Sequence, residues 1–274
     1  MAESIAFIGG GNMATAMVKG PLRSGWASAD LTVIERDEAK RTAHAGAFDV
    51  RTFASLGESS DMARVVIWAV KPDALEAVAT AAASQTQHAL RISIAAGIAT
   101  AQLCRWLQSG RAIRAMPNTA AMVSSAVTGL CAGSAVTAED KGLAERVFGA
   151  IGAVFWVAGD ERVDAVTAVS GSGPAYVFHF IEGLQQAASA LGFEATQARE
   201  LALRVVEGAL RQAQASDEPL STLRERVTSK GGTTAAALEV LDRYGTRAAM
   251  VIAVQAAYAR AGEISVHFRA NEGG

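Results

Sequence analysis

The chain has 274 residues, half of them hydrophobic, and carries a formal net charge of -2 at pH 7. This length and composition allow a sizeable buried core, in one large domain or two modest ones. A near-neutral charge without a clustered Lys/Arg stripe argues against nucleic acid as a partner, and the longest apolar run near the C-terminus, Ala248 to Val254, is far shorter than the roughly 18 residues of a membrane span.

Short β-rich segments alternate with alanine-rich helical segments in the first half of the chain. The predicted strands are Ser4 to Ile8, Leu31 to Ile34, Val65 to Val70, Arg91 to Ile94 and Ala112 to Met116. The predicted helices between them are Met13 to Arg23, Asp73 to Ala83 and Ala101 to Leu107. Strands that are apolar on both faces and alternate with helices indicate a parallel sheet covered by helices. We therefore predict a doubly wound α/β fold for this half.

After about Asp160 the strand pattern gives way to long helical windows. We place the domain boundary here, with an α/β domain over residues 1–160 and an all-helical domain over residues 161–274. In the window Ala198 to Arg211, the charged residues share one narrow stripe and apolar residues fill most of the remaining circumference. A helical domain of this size rarely hides so much apolar surface alone, so we predict a subunit interface and at least a homodimer.

A glycine-rich turn follows the first predicted strand directly. Gly9, Gly11 and Ala14 have the G-x-G-x-x-A spacing, placed between a strand and the start of a helix. Gly9 allows the tight turn, Gly11 lets the backbone approach a pyrophosphate, and Ala14 permits close helix packing. The helix N-terminus supplies N–H groups for the phosphates. The turn predicts a nicotinamide dinucleotide site.

Two charged residues, Glu35 and Arg36, end the second predicted strand. A carboxylate at this position can accept hydrogen bonds from the ribose hydroxyls of NAD, whereas an arginine can pair with the 2′-phosphate of NADP. A solvated charge pair is the simpler alternative. These two residues alone leave the choice between NADPH and NADH open.

Three further motifs fall at the ends of successive predicted strands: AVKP (Ala69 to Pro72), SIAAG (Ser93 to Gly97) and RAMPNTA (Arg114 to Ala120). Ligands of open α/β sheets bind at this edge, so we expect these three motifs to lie in the cofactor cleft. A fourth motif, TSKGGTT (Thr228 to Thr234), lies between helical windows. Consecutive backbone N–H groups at a helix start form an anion-binding concavity, which favours a carboxylate site over a plain loop.

Other catalytic devices are not indicated by the sequence. The four histidines are scattered without ligand spacing, which argues against a metal site, and a Gly-x-Ser-x-Gly elbow is missing. The two cysteines, Cys104 and Cys131, fit small buried hydrophobic residues in a reducing, cytoplasmic compartment.

The order of these motifs, including SGSGPAY (Ser170 to Tyr176), resembles the pyrroline-5-carboxylate reductases over nearly the whole chain. The stretch from Pro219 to Asp242 is similar to the C-terminal signature of that family. Ala120 departs from it, since proline usually follows MPNT there. The resemblance implies a Rossmann domain, an interlocking helical dimerisation domain, and NAD(P)H-dependent reduction of 1-pyrroline-5-carboxylate to L-proline, the last step of proline biosynthesis. NADPH is the expected cofactor, with NADH possible.

The same resemblance implies roles for individual residues. It places Gly9, Gly11, Asn12 and Met13 on the pyrophosphate, Ala69, Val70, Lys71, Pro72, Ala95, Ala96 and Gly97 along the adenosine and nicotinamide, and Asn118 near the nicotinamide. It also places the backbone of Ser229, Lys230, Gly231, Gly232 and Thr233 on the substrate carboxylate. The Thr234 hydroxyl would then lie near the ring nitrogen as the catalytic contact.

Two other functions remain open on the sequence. A β-hydroxyacid-type dehydrogenase would share both domains but would require an acid/base such as Lys230 in the cleft. A non-catalytic, redox-sensing dinucleotide binder would bind the cofactor and consume none when offered the imine.

Overall fold

The computed structural model describes residues 4–58 and 63–270, with the backbone alone described at 58, 269 and 270. Within these residues eight strands form one sheet. They are β1 Ile5–Ile8, β2 Leu31–Ile34, β3 Arg51–Phe53, β4 Val65–Trp68, β5 Leu90–Ser93, β6 Ala112–Met116, β7 Ala126–Ala132 and β8 Gly152–Trp156.

The helices cover the sheet in the first part of the chain and replace it in the second. They are α1 Asn12–Arg23, α2 Glu38–Phe48, α3 Pro72–Ala82, α4 Thr100–Trp106, α5 Ala138–Gly149, α6 Asp160–Val166, α7 Gly173–Ala190, α8 Ala195–Gln214, α9 Leu220–Arg226, α10 Thr233–Arg243 and α11 Thr246–Ala270. A π-helical turn, Thr167–Gly171, follows α6. None of the described helices is long and apolar enough to cross a membrane.

The sheet has the strand order β3-β2-β1-β4-β5-β6-β7-β8. The strands from β3 to β6 are parallel, β7 runs antiparallel to β6, and β8 is parallel to β7. The order of the first six strands is that of the doubly wound Rossmann fold, so the predicted fold class is confirmed. The predicted strand beginning at Val65 ends at Trp68, two residues earlier than expected, because Pro72 opens α3.

The core lies on both faces of the sheet. Ile5 and Phe7 of β1 belong to one buried cluster, and Ala6 and Ile8 belong to the other. Successive side chains of a strand point to opposite faces, so a strand covered on both sides must be apolar throughout. This explains why the parallel strands are continuous apolar runs.

The described chain separates into two compact units. The first comprises the residues up to Ser172 together with those from Ala257 onward, and the second is Gly173–Ala256. Helix α11 therefore begins in the second unit and ends in the first. The sequence-derived boundary after Asp160 stays a prediction, and α6, which begins at Asp160 and spans this boundary, belongs to the first compact unit.

The second unit is all-helical. Its helices α7 and α8 pack along each other, and the buried residues of α8 are Ala198 and Ala202. Many of its large apolar side chains are exposed in the single chain, among them Val177, Phe178, Phe180, Leu201, Leu203, Val205, Leu210, Val240, Leu241, Met250, Val251 and Ile252. Apolar exposure on this scale marks an interaction surface.

Candidate dinucleotide site

The glycine turn after β1 has two glycines with different tasks. Gly9 has φ +104°, and a Cβ there would lie 2.6 Å from the carbonyl oxygen of Ala69, so only glycine fits. Gly11 is the N-cap of α1 with φ -76°, and a Cβ on it would meet nothing within 4 Å. The space beside Gly11 is thus open to a ligand. The first-turn amides of α1 have no partner within the helix and can bind an anion there.

A cavity of about 620 Å³ opens beside this turn, at the carboxyl ends of β1, β2 and β4. Its walls combine the turn, the end of β2, the segment after β3 and one face of α3. The lining residues are Ile8, Gly9, Gly11, Ile34, Glu35, Arg36, Lys40, Ala54, Ser55, Leu56, Gly57, Ala69, Val70, Lys71, Ala74, Ala77, Val78, Ala81, Ala82 and Gln85. Small apolar side chains of α3 on one wall and cationic groups on another suit a flat base joined to phosphates.

Glu35 turns its carboxylate toward the protein backbone. Oε2 accepts from the Gly10 N–H at 2.8 Å, and Oε1 accepts from the Asp37 N–H at 3.0 Å. Burial raises the pKa of Glu35, but these backbone hydrogen bonds and the nearby Lys40 charge outweigh it and hold the pKa below its ordinary value. The side chain is therefore an ionised acceptor, already engaged by two amides.

Helix α2 presents the cationic side of the cavity. Asp37 caps the helix by accepting from the Ala39 and Lys40 amides at 2.9 and 3.2 Å. Arg36 and Lys40 line the cavity and are exposed. The Arg41 guanidinium instead braces the chain, since Nη1 donates to the carbonyl oxygens of Glu35 and Arg36.

His44, on α2, is buried beneath the glycine turn with 4% of its surface exposed. Its Nε2 lies 3.1 Å from the Gly10 carbonyl oxygen and 3.5 Å from the Thr15 hydroxyl. The sequence reading did not single out His44, Lys40 or the segment after β3, because they are distant in the chain from the glycine turn. The available signal for Lys40 was its position as a basic residue in the first turn of the helix that follows β2.

Several residues that the sequence assigns to the cofactor do not line this cavity: Asn12, Met13, Pro72, Ala95, Ala96, Gly97 and Asn118. Gly97 has φ +79°, and a Cβ there would lie 2.6 Å from Ile264 of α11. Asn118 is buried, and its amide donates to the Ser170 carbonyl at 2.8 Å and accepts from the Val127 N–H at 3.2 Å. Both polar atoms of Asn118 thus tie chain segments together.

Arg114, the first residue of RAMPNT, is buried at 2% exposure in an ion-pair network. Its guanidinium contacts Asp160 at 3.0 Å and Asp164 at 2.6 Å. Asp160 also accepts from the Thr100 N–H and hydroxyl at the start of α4, and Asp164 accepts from Ser265 of α11. The network joins β6, α4, α6 and the end of α11, and so fixes the edge of the sheet where RAMPNT ends.

The TSKGGTT loop lies in the second unit, just before α10. Gly231 has φ +72°, and Gly232 is the N-cap of α10, its N–H donating to the Ser229 carbonyl at 3.0 Å. A Cβ on Gly232 would lie 2.4 Å from Ser229 Oγ, which would have to rotate away, whereas the positive φ of Gly231 favours glycine directly. The loop is largely exposed, with Thr234 half-buried. A helix start with free first-turn amides is an anion-binding geometry.

Comparison with known proteins assigns the chain to a family. The family model described as pyrroline-5-carboxylate reductase dimerisation matches residues 160–264, and the NADP oxidoreductase coenzyme F420-dependent model matches residues 4–97. Pyrroline-5-carboxylate reductase from Haemophilus influenzae is 40% identical over 96% of this chain and 98% of its own length. The chain belongs to the pyrroline-5-carboxylate reductase family. The pea enzyme, from Pisum sativum, is 37% identical over 96% of each chain.

Solved structures of the pyrroline-5-carboxylate reductase family have the same fold. The Coxiella burnetii reductase superimposes with a TM-score of 0.91 at 36% identity, covering 97% of this chain and 99% of the other. The Plasmodium falciparum pyrroline carboxylate reductase, solved with NADP bound, gives a TM-score of 0.85 at 25% identity over 96% of this chain and 98% of its own. The resemblance inferred from the motifs is thus confirmed.

Proposed function

We propose that this chain reduces 1-pyrroline-5-carboxylate to L-proline with a reduced nicotinamide dinucleotide, the last step of proline biosynthesis. The observation that carries the proposal is the extent of the family likeness, which covers 96% of the chain. Both the unit with the glycine turn and the helical unit with the TSKGGTT loop lie within it. Neither unit alone would specify a substrate, because the Rossmann fold serves many reactions.

The cavity beside Gly11 fits the adenosine and diphosphate portion of the cofactor. The open space at Gly11 and the free first-turn amides of α1 would hold the diphosphate, and the small side chains of α3 would face the base. Ala95 to Gly97 and Asn118, at the ends of β5 and β6, are proposed for the nicotinamide end by family resemblance. When bound, the reduced nicotinamide supplies the hydride that the C=N carbon accepts.

The substrate end is proposed at the second unit. The backbone N–H groups of Ser229 to Thr233 would bind the substrate carboxylate, and the Thr234 hydroxyl would accept a hydrogen bond from the protonated ring nitrogen. A protonated imine is already electrophilic, so the chain needs to orient the ring more than to supply an acid. Orientation of this kind is worth about 7 kcal/mol or more when the geometry is ideal.

We propose NADPH rather than NADH as the preferred cofactor, because Glu35 is turned away from the role of ribose acceptor. Both of its carboxylate oxygens accept backbone N–H groups. Arg36 and Lys40 are the exposed cations on that wall of the cavity. Charge-assisted hydrogen bonds to a 2′-phosphate would therefore favour NADPH.

Arg36→Ala tests this preference. We expect the Michaelis constant for NADPH to rise about tenfold and that for NADH to change less than twofold, since only NADPH carries the 2′-phosphate. Arg162→Ala, which removes an exposed arginine on α6, is the matched control and should change neither constant. Equal effects on the two cofactors would assign Arg36 to a group that both of them share.

We propose that the second unit forms a homodimer. The family model that matches residues 160–264 describes dimerisation, and this part of the chain carries the exposed apolar side chains of α7, α8 and α11. Burying such surface against a second copy is the common solution for a soluble protein.

The decisive experiment is steady-state oxidation of NADPH and of NADH by the purified protein with 1-pyrroline-5-carboxylate, followed by identification of proline. Oxidation that depends on the imine supports the proposed reaction. Cofactor binding without oxidation would favour a redox-sensing binder, and oxidation of a hydroxy acid without imine reduction would favour a β-hydroxyacid-type dehydrogenase.

A further inference from the structure

The Gly10 peptide groups at the centre of the glycine turn are held from two directions. The Gly10 N–H donates to Glu35 Oε2 at 2.8 Å, and the Gly10 carbonyl oxygen lies 3.1 Å from His44 Nε2. A Cβ on Gly10 would lie 3.2 Å from both Glu35 Cγ and His44 Nε2. Side chains from the end of β2 and from α2 thus enclose one residue of the turn.

The surroundings of His44 define which ring nitrogen carries hydrogen. A carbonyl oxygen only accepts, so the contact with Gly10 requires a hydrogen on Nε2. Thr15, whose hydroxyl donates to the Gly11 carbonyl at 3.1 Å, leaves its oxygen facing the same Nε2. Among the described residues Nδ1 has no hydrogen-bond partner. A hydrogen on Nε2 therefore fits the contacts of the ring.

The peptide that His44 holds also carries the Gly11 N–H. A trans peptide is planar, and its C=O and N–H point in opposite directions. Holding the Gly10 carbonyl against His44 therefore directs the Gly11 N–H away from α2. Gly11 lines the cavity and leaves open space beside it.

We propose that His44 and Glu35 are positioning residues for the dinucleotide: they fix the two peptide groups of Gly10 and thereby aim the Gly11 N–H at the diphosphate. Neither side chain needs to touch the cofactor. The inference rests on the proposed dinucleotide site and adds to it a support that comes from outside the glycine motif. Glu35 remains an acceptor throughout, because its hydrogen bonds from backbone amides favour the ionised carboxylate.

His44→Asn and His44→Gln separate this role from general packing. The glutamine amide can reach the position of Nε2, whereas the asparagine amide reaches only as far as Nδ1. We expect His44→Asn to weaken NADPH and NADH binding about tenfold each, because a buried carbonyl loses its donor. His44→Gln should stay within about threefold of the wild type. The ratio of the two affinities should not change, because both cofactors contain the diphosphate.

The measurement is equilibrium titration of each cofactor by its fluorescence, together with thermal unfolding of each variant. Val147→Ala, a truncation in the buried core on α5, is the control: it should lower the thermal midpoint and leave cofactor affinity unchanged. The turnover number at saturating cofactor should change less than twofold in His44→Asn.

Glu35→Ala tests the second contact. A positioning role predicts weaker binding of both NADPH and NADH, since the Gly10 N–H loses its acceptor. A carboxylate that acted on the ribose would, when removed, weaken NADH and leave NADPH unaffected or improved, and that pattern would overturn the role given to Glu35.

The role of His44 is overturned if His44→Asn binds both cofactors as the wild type does, if the asparagine and glutamine variants are equally impaired, or if Val147→Ala weakens binding to the same extent. A wild-type protein that binds neither cofactor would overturn the proposed function as well as this inference. The two failures are thereby distinguishable.

Discussion

The two outer glycines of the turn have different roles. Gly9 is required by the fold, whereas Gly11 leaves space for the ligand. We predict that Gly11→Val weakens dinucleotide binding at least a hundredfold while the thermal midpoint stays near that of the wild type. The side chain would enter open space at a φ of -76°, where the fold tolerates it and the diphosphate does not. Titration of cofactor fluorescence and thermal unfolding measure the two effects.

Gly9→Ala is the complementary variant. Its methyl group would meet the Ala69 carbonyl at 2.6 Å with φ +104°, so we expect a loss of thermal stability. A folded Gly11→Val variant with unchanged cofactor affinity would show that the diphosphate lies elsewhere.

The prediction about the substrate concerns the hydroxyl of Thr234. A hydrogen bond to a charged partner contributes roughly 1.5 to 3 kcal/mol, so Thr234→Ala should lower kcat/KM for the imine roughly tenfold to a hundredfold. Cofactor affinity should barely move. A fall in kcat would indicate that the contact strengthens as hydride arrives, whereas a rise in KM alone would indicate equal binding of ground and transition states.

Thr234→Ser is the control, because it keeps the hydroxyl and loses one methyl group. Full activity of the alanine variant at limiting imine concentration would contradict the proposed role of Thr234 in the reaction.

Among single residues, the sequence was most informative where chemistry requires one residue type at one spacing. Gly9 and Gly11 could be assigned because a strand precedes them and a helix follows. The conflict between Glu35 and Arg36 could not be resolved from the sequence, because it depends on where the Glu35 carboxylate points. His44 gave no signal, since a lone histidine in a helix is compatible with many roles.

At the scale of elements, α5 depends on an ion pair at its first turn. Asp140 caps the helix together with Thr137 and pairs with Arg111, whose Nη2 lies 2.7 Å from Oδ1. Burial raises the pKa of Asp140, but the hydrogen bonds from Arg111 and Thr137 outweigh it and hold the pKa below its ordinary value. A lowered pKa in the folded state stabilises the fold above the ordinary pKa, and this contribution is lost as the pH falls through the folded-state value.

We therefore predict that Asp140→Asn lowers the free energy of unfolding by about 2 kcal/mol near pH 7. The difference between variant and wild type should shrink as the pH falls below about 4. Urea unfolding at fixed protein concentration over this pH range measures both effects, with Glu38→Gln, an exposed carboxylate in the first turn of α2, as the control. A difference that stays constant over the range would contradict the linkage to Asp140.

The elements that the sequence predicted well are those with fully apolar strands, and the ones it missed have a physical reason. Strand β3 is only three residues long and half-buried throughout, at the edge of the sheet. Helix α2 buries a single residue, His44, so it has little apolar periodicity. Strand β7 contains Gly129, a residue type that is depleted in strands and weakens the strand pattern. A Cβ there would lie 3.0 Å from Val166 of α6.

At the scale of the whole molecule, the exposed apolar side chains of α8 predict assembly. Leu203 and Leu210 are two helical turns apart on one face, and both are exposed in the single chain. We expect the full chain to be at least a dimer at micromolar concentration and the double variant Leu203→Glu/Leu210→Glu to be a monomer, because two buried charges oppose association. Light scattering coupled to gel filtration measures the mass.

Glu200→Gln/Arg204→Gln, on the charged stripe of the same helix, is the control and should leave the assembly intact. A wild-type chain that is monomeric would contradict the predicted interface. The all-helical nature of this unit was predictable from composition, whereas the return of α11 to the first unit was not, since no sequence pattern marks which half a long helix will join.

The end of α11 has a consequence for how the protein is made. Ile264 and Phe268 pack against Gly97, and the Phe268 carbonyl accepts a hydrogen bond from Gln102, 166 residues earlier in the chain. During synthesis the amino-terminal half of the chain emerges first and begins to fold. The turn after β5 cannot reach its final packing until α11 has been synthesised. The packing around Gly97 in the first unit is therefore completed only after that helix has been made.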